Sequence, residues 1–199
     1  MSVGEGEDNL SSMPDNFLER RDLEQYFFTK DNIETFINMF FTLFGDEESI
    51  AENVCLVCAP SLAKHMHEHY GIVVTALDID RRFEDVLPGF RYFDLREPYE
   101  IEDKNFSLIL IDPPFFSVSH DELARACEVI ARGRCKETRL LISFPKKDER
   151  SLRKSFASFG IDRTTFELSY ATVKPTRWDN YVLYGNSDIP FAKRIKFKK

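Results

Sequence analysis

The sequence lacks any run of about 18 consecutive apolar residues, so no membrane-spanning helix is expected. The opening stretch, MSVGEGEDNLSSMPDN, is acidic and polar and carries no apolar core of a secretion signal. A disordered acidic N-terminus over residues 1–20 and an intracellular, cytoplasmic protein are the expectations. Positive charge is also short. Against 34 Asp and Glu there are 27 Lys and Arg, a net charge of −7, which argues against a general nucleic-acid binder. The exception is the end of the chain, FAKRIKFKK. A basic tail over 188–199 suits phosphates, an acidic partner or a nuclear localisation signal, or is simply solvated.

Cysteine is sparse, and its spacing is wrong for a metal site. Cys55 and Cys58 form a CxxC, but VCLVCAP reads as a buried strand, and Cys127 and Cys135 make a poor second pair. His65 and His69 share one helix face in HMHEHY, without the glutamate spacing of HExxH. A half-exposed helix accounts for them, and no metal is expected.

What is present is alternation. Helical spacing of apolar residues runs from Ile33, with Asp31 as a plausible N-cap. A short apolar strand covers 53–59, and a helix follows, capped by Ser61 after Pro60. GIVVTALDID, PGFRYFDL and FSLILI read as three further strands. HDELARACEVIARG reads as a helix ended by Gly133. TRLLISFP reads as a fifth strand, stopped by Pro145. After a helix in DERSLRKSFASFG, TTFELSYATV and NYVLYGN suit an antiparallel hairpin at the sheet edge. Strands alternating with helices predict an α/β domain with a mostly parallel sheet. In such sheets ligands bind at the carboxyl ends of strands, so residues directly after strands are the functional candidates.

The most informative of these follow LILI, a run apolar enough for a strand buried on both faces. Asp112 lies at its end, then Pro113, Pro114, Phe115 and Phe116. An Asp-Pro turn is common. Two prolines followed by an aromatic are more specific: they fix an extended backbone, remove two N–H donors and leave carbonyls as acceptors. The loop offers a carboxylate, a carbonyl and a ring to one point. That suits a planar amine, whose nitrogen becomes nucleophilic when acceptors on its hydrogens favour a tetrahedral geometry. Phe115 is placed to stack on a base or to contact a cationic amine.

DPPF resembles the [DNS]-P-P-[YFW] motif of S-adenosylmethionine-dependent amino-methyltransferases. More narrowly, the chain resembles the probable adenine methyltransferase family. The resemblance spans roughly residues 22–186, through QYFF (25–28), CLVCAPSL (55–62), LDIDRRF (77–83), FRYFDLREP (90–98), DPPF (112–115) and LISFP (141–145). It implies a Rossmann-like class I methyltransferase domain over 21–187. Its sheet would be seven-stranded and mostly parallel with a C-terminal antiparallel hairpin, and its cofactor would be S-adenosylmethionine. One departure stands out: the glycine-rich loop usual after the first strand is CAPS here. Within the family that loop is similarly poor in glycine. Pro60 makes the turn, and the helix start around Ala59, Pro60 and Ser61 offers N–H groups to the cofactor carboxylate.

The same resemblance implies that Asp78 or Asp80 accepts the ribose hydroxyls; strand alternation points both the same way, and Asp78 is slightly preferred. Asp94 is the candidate acceptor for the cofactor's adenine amine, or else a cap. Gln25 and Tyr26 cover cofactor or substrate, or anchor the N-terminal segment. Phe83 is a candidate for the adenine pocket, while Arg81 and Arg82 read as solvated. Phe116 and Lys146 are candidates for substrate binding, with Lys147 beside them.

The family contains two functional kinds, a zinc-knuckle ribosomal RNA adenine methyltransferase and a lysine methyltransferase of elongation factor 1-alpha. Adenine in RNA or DNA is the first expectation, with Phe115 and Phe116 supporting a flipped base. The alternative is a lysine on a basic protein such as that elongation factor, which an acidic body would suit. A non-catalytic partner that keeps the fold is the third, and the intact DPPF argues against it.

Overall fold

The computed structural model describes residues 17–174 and 180–196. The acidic stretch read as disordered falls mostly on residues 1–16, outside the described residues. Phe17 is already buried, its ring 5.4 Å from Phe27 and 5.1 Å from Phe83.

Helix α1 (Lys30–Phe44) buries Ile33, Phe36, Ile37 and Phe40, the i, i+3, i+4, i+7 stripe of an amphipathic helix. Each such side chain contributes about 1.5–3 kcal/mol on burial. Its N-cap is Thr29, not Asp31, which lies in the first turn where its charge favours the helix dipole. Helix α2 (Glu47–Asn53) is capped by Asp46, which accepts from Ser49 N–H.

Strands β1 (Val54–Val57), β2 (Thr75–Asp78) and β4 (Leu108–Ile111) are buried at every position, as two covered faces require. Helix α3 (Pro60–Tyr70) links β1 to β2, and the short β3 (Phe90–Tyr92) lies parallel beside β2. Gly89 is needed just before β3, since a Cβ there would lie 1.9 Å from the Val74 carbonyl oxygen. Helix α4 (His120–Ile130) opens with a Ser119–Glu122 capping box. Strand β5 (Arg139–Pro145) runs parallel to β4, and α5 (Glu149–Ser155) follows it.

The C-terminal part is antiparallel. Strand β7 (Tyr181–Gly185) pairs with both β5 and β6 (Asp162–Leu168). The expected antiparallel pair is present, but neither of its strands is the sheet edge. An eighth strand, β8 (Arg194–Ile195), extends the seven expected. It pairs antiparallel with β6 and falls in the stretch read as a basic tail; residues 197–199 of that tail lie outside the described residues. A single sheet results, in the order β3-β2-β1-β4-β5-β7-β6-β8. Connections from β1 run to opposite sides, so the switch point lies between β1 and β4.

Candidate active site

An open cavity of about 160 Å³ lies at that switch point. Its walls are residues at or just beyond the ends of β1, β2, β3 and β4: Cys58, Asp78, Asp94 and the start of the DPPF loop. The segment before α1, including Gln25 and Tyr26, closes the other side.

The two acids of LDID part company. Strand β2 ends at Asp78, so alternation does not carry on to Asp80 and the two side chains do not share a direction. Asp78 is 5% exposed, lines the cavity and is held by backbone N–H groups, Asp80 N at 2.9 Å among them. Burial pushes its pKa up to about 7. Asp80 turns into the protein instead. It caps the 3-10 turn Arg81–Phe83, takes Arg82 through both carboxylate oxygens, and accepts from Gln25 Nε2 at 3.0 Å. Arg82 is therefore an ion-pair partner and not a solvated side chain. Arg81 stays exposed, its guanidinium 4.1 Å from the Tyr92 ring centre. Phe83 is buried against Phe17, away from the cavity lining.

After β1, the place of the missing glycine is taken by Cys58. It adopts a left-handed φ of 53° and donates its N–H to Leu77 O at 2.9 Å. A non-glycine residue in that region is held there by its surroundings. Helix α3 starts at Pro60 with Ala59 as N-cap. Ser61 is therefore in the first turn, not the cap, and faces a neighbouring groove; of the three, Pro60 reaches the cavity. Asp94 lines the cavity and accepts from Arg96 N–H at 2.9 Å. Gln25 lines the cavity while clasping Asp80, and Tyr26 sets its ring edge-on to Tyr170 at 6.2 Å.

Asp112 is 8% exposed, and its N–H continues the β4 ladder to Val57 O. Its Oδ1 accepts from two hydroxyls, Ser143 and, at 2.6 Å, Tyr170. Its Oδ2 takes neither. Burial pushes the carboxyl up to about 7 against the pull of those two hydrogen bonds. Pro113, Pro114 and Phe115 line the cavity. The Phe115 ring is enclosed by Phe144 at 5.5 Å, Tyr181 at 5.0 Å and Tyr170 at 6.2 Å, so only part of it faces a ligand. Phe116 is 70% exposed at the rim. Its N–H donates to Glu24 at 2.8 Å, and Lys147 Nζ lies 5.5 Å from its ring centre. Lys146 is exposed nearby in sequence and outside the cavity lining.

The sequence profile of the probable N6-adenine methyltransferase family matches residues 19–187. The chain belongs to this family. It is an S-adenosylmethionine-dependent methyltransferase, and S-adenosylmethionine is its cofactor. A search of curated protein sequences gave no match. Among solved structures, this methyltransferase is similar in fold to magnesium protoporphyrin IX methyltransferase from Synechocystis with bound S-adenosylmethionine. Identity is 16%, covering 78% of this chain and 77% of that one, with a TM-score of 0.52. It is similar also to an S-adenosylmethionine-dependent methyltransferase from Clostridium acetobutylicum, at 8% identity over 79% and 91% of the chains, TM-score 0.52. These likenesses establish the class I methyltransferase fold.

Several site residues had no voice in the sequence reading. Tyr170 sits beyond β6, far from any motif. Glu24, in a left-handed conformation, and Arg96, donating to Ser117 O, steady the DPPF loop, although neither was singled out, Arg96 even within the matched stretch FRYFDLREP. Ser143 lay inside LISFP, a matched stretch, but only the fold sets it beside Asp112.

Proposed function

We propose that this methyltransferase acts on the exocyclic amine of adenine in RNA or DNA. The observation that carries the reading is the rim of the DPPF loop. An exposed ring, Phe116, lies beside Lys147, with Arg96 on the loop's backbone and exposed Lys146 next in sequence. Lys147 and Arg96 bring positive charge to this rim in a protein whose net charge is −7, beside Glu24, which accepts from Phe116 N–H. A ring among cations suits a base turned out of its stack and the phosphates beside it.

The cavity residues fit the cofactor. A buried carboxylate with only backbone partners calls for donors, and the vicinal hydroxyls of a ribose present two; Asp78 takes them. Asp94 would accept a hydrogen bond from the cofactor's adenine amine, while the start of α3 offers the cavity only Pro60, which has no N–H to give. Gln25 and Tyr26 close over it, with Gln25 fixing Asp80 rather than binding directly. The bound cofactor supplies an electrophilic methyl on sulfur. Asp112 Oδ2 and a carbonyl of the proline pair would accept hydrogen bonds from the substrate amine and orient its lone pair into the cavity.

The test uses tritiated S-adenosylmethionine and total extract from cells lacking the gene. Wild-type protein and Asp112→Ala are compared, and each sample is split between nuclease and protease. Label removed only by nuclease, recovered as methyladenine, and lost at least a hundredfold in Asp112→Ala, is the expected result. Label removed only by protease, on a basic protein such as an elongation factor, overturns adenine in favour of lysine. Full activity in Asp112→Ala overturns the catalytic assignment.

A further inference from the structure

Asp112 is reached by two hydroxyls that the chain brings from far away. Ser143 comes from β5. Tyr170 comes from beyond β6, 58 residues from Asp112. Both donate to the same oxygen, Oδ1. A buried carboxylate needs donors, but it does not need them all on one side. Oδ1 is saturated, and Oδ2 is left to the cavity that Asp112 lines.

The phenol of Tyr170 has little freedom. Its ring stacks on Phe28 at 5.4 Å and 19°, and meets Tyr181 edge-on at 5.0 Å. Its backbone bridges Phe28, and Ala171 N–H donates to Phe27 O at 2.8 Å. A hydroxyl held this firmly fixes the plane of the carboxylate it binds. An acceptor oxygen that must meet an amine hydrogen within a few tenths of an ångström gains from such support.

We infer that Tyr170, with Ser143, is a positioning residue for methyl transfer: together they pin Oδ1 of Asp112 and present Oδ2 to the incoming amine. The inference rests on Asp112 being the acceptor in the proposed reaction. It adds a second consequence. Hydrogen bonds to the charged form keep Asp112 ionised to lower pH, against the burial that raises its pKa. The titratable groups facing it are Tyr170 itself and, after β1, Cys58; Tyr181 of β7 faces Tyr170 in turn. Burial raises Tyr170 and Cys58 well above their usual range, so neither changes charge near neutral pH.

The experiment compares full-length wild type, Tyr170→Phe and Ser143→Ala. Turnover on an adenine-containing RNA is followed from about pH 5.5 to about pH 9. In parallel, the Asp112 carboxyl is titrated by ¹³C NMR without substrate. Phenylalanine preserves the ring packing and removes only the hydroxyl. Expected in Tyr170→Phe are a kcat lower by roughly ten- to a hundredfold at pH 7 and a cofactor KM within about twofold. The acid limb and the Asp112 titration should both move up by about one unit. Ser143→Ala moves both the same way, and stands in if Tyr170→Phe does not fold. A fall in kcat with both titrations unmoved makes the role packing alone and overturns the inference. Failure of wild type to label RNA sinks the adenine reading by itself; the NMR titration still judges the clamp, and an unmoved Asp112 resonance overturns it.

Discussion

Asp78→Asn should make the cofactor-free protein more stable at alkaline pH while weakening cofactor binding. Burial pushes the Asp78 carboxyl from 3.8 up to about 7. Each unit is worth about 1.4 kcal/mol, so ionising Asp78 in the fold costs about 4 kcal/mol. The sign follows from the folded value lying above the unfolded one. Between the two the native state keeps a proton that the unfolded chain has lost, so stability falls as pH rises through that window. The full cost is present above about pH 7 and absent below about pH 4. Asparagine keeps an oxygen for Asp80 N–H and removes the charge, although its own amide is desolvated. Recovery of half the cost, about 2 kcal/mol, raises Tm by about 4–8 °C in a chain of this size. Thermal melts of the apo proteins at about pH 4.5 and about pH 8 read the effect, with calorimetry of S-adenosylmethionine binding at the higher pH. Affinity should fall about tenfold or more as a charged acceptor becomes neutral. A variant less stable than wild type at the higher pH, or a difference equal at both, would refute the reasoning.

Arg82→Ala removes the main partner of Asp80, whose side chain is 2% exposed. The loss should be about 2–4 kcal/mol in urea unfolding, and an unchanged midpoint would mean that Gln25 suffices. Ser119→Ala breaks the capping box of α4 and should cost about 1 kcal/mol with methyl transfer unchanged. Cys58→Gly should leave stability within about 1 kcal/mol of wild type, whereas Cys58→Val should cost roughly 2 kcal/mol because a β-branched residue resists φ 53°. Equal effects of the two would show that the left-handed turn is not what holds Cys58.

The parallel half of the fold was legible because its signals are local. LILI is apolar throughout, DPPF interrupts it, and a strand end at a switch point is where a site belongs. The same locality explains the errors. Alternation treated Asp78 and Asp80 alike because nothing in LDID says that pairing with β3 stops at Asp78. Arg82 and Gln25, which claim Asp80, lie on either side of it in sequence, Gln25 55 residues away. Ser61 looked like a cap because Ser is a good one, yet Pro60 is better placed as first residue and the cap fell to Ala59. Arg194–Ile195 read as tail because two residues carry no strand pattern; pairing with β6 alone makes them a strand. Tyr170 was invisible for the strongest reason, since its importance is a hydroxyl meeting a carboxylate from another part of the chain.

The segment before α1 shows how such distant contacts build one site. Local propensity gives residues 19–28 no reason to lie at the carboxyl ends of the strands. Side-chain and backbone bonds hold them there. Gln25 takes the acid turn after β2, and Glu24 takes the N–H of Phe116 in the DPPF loop. Thr29 N–H donates to Ser169 O and Ala171 N–H to Phe27 O, joining the segment to the exit of β6. One strap therefore closes the cavity, steadies the DPPF loop and backs the ring of Tyr170. In the proposed reaction, cofactor binding and amine positioning share this support. A change that frees the strap should therefore act on both.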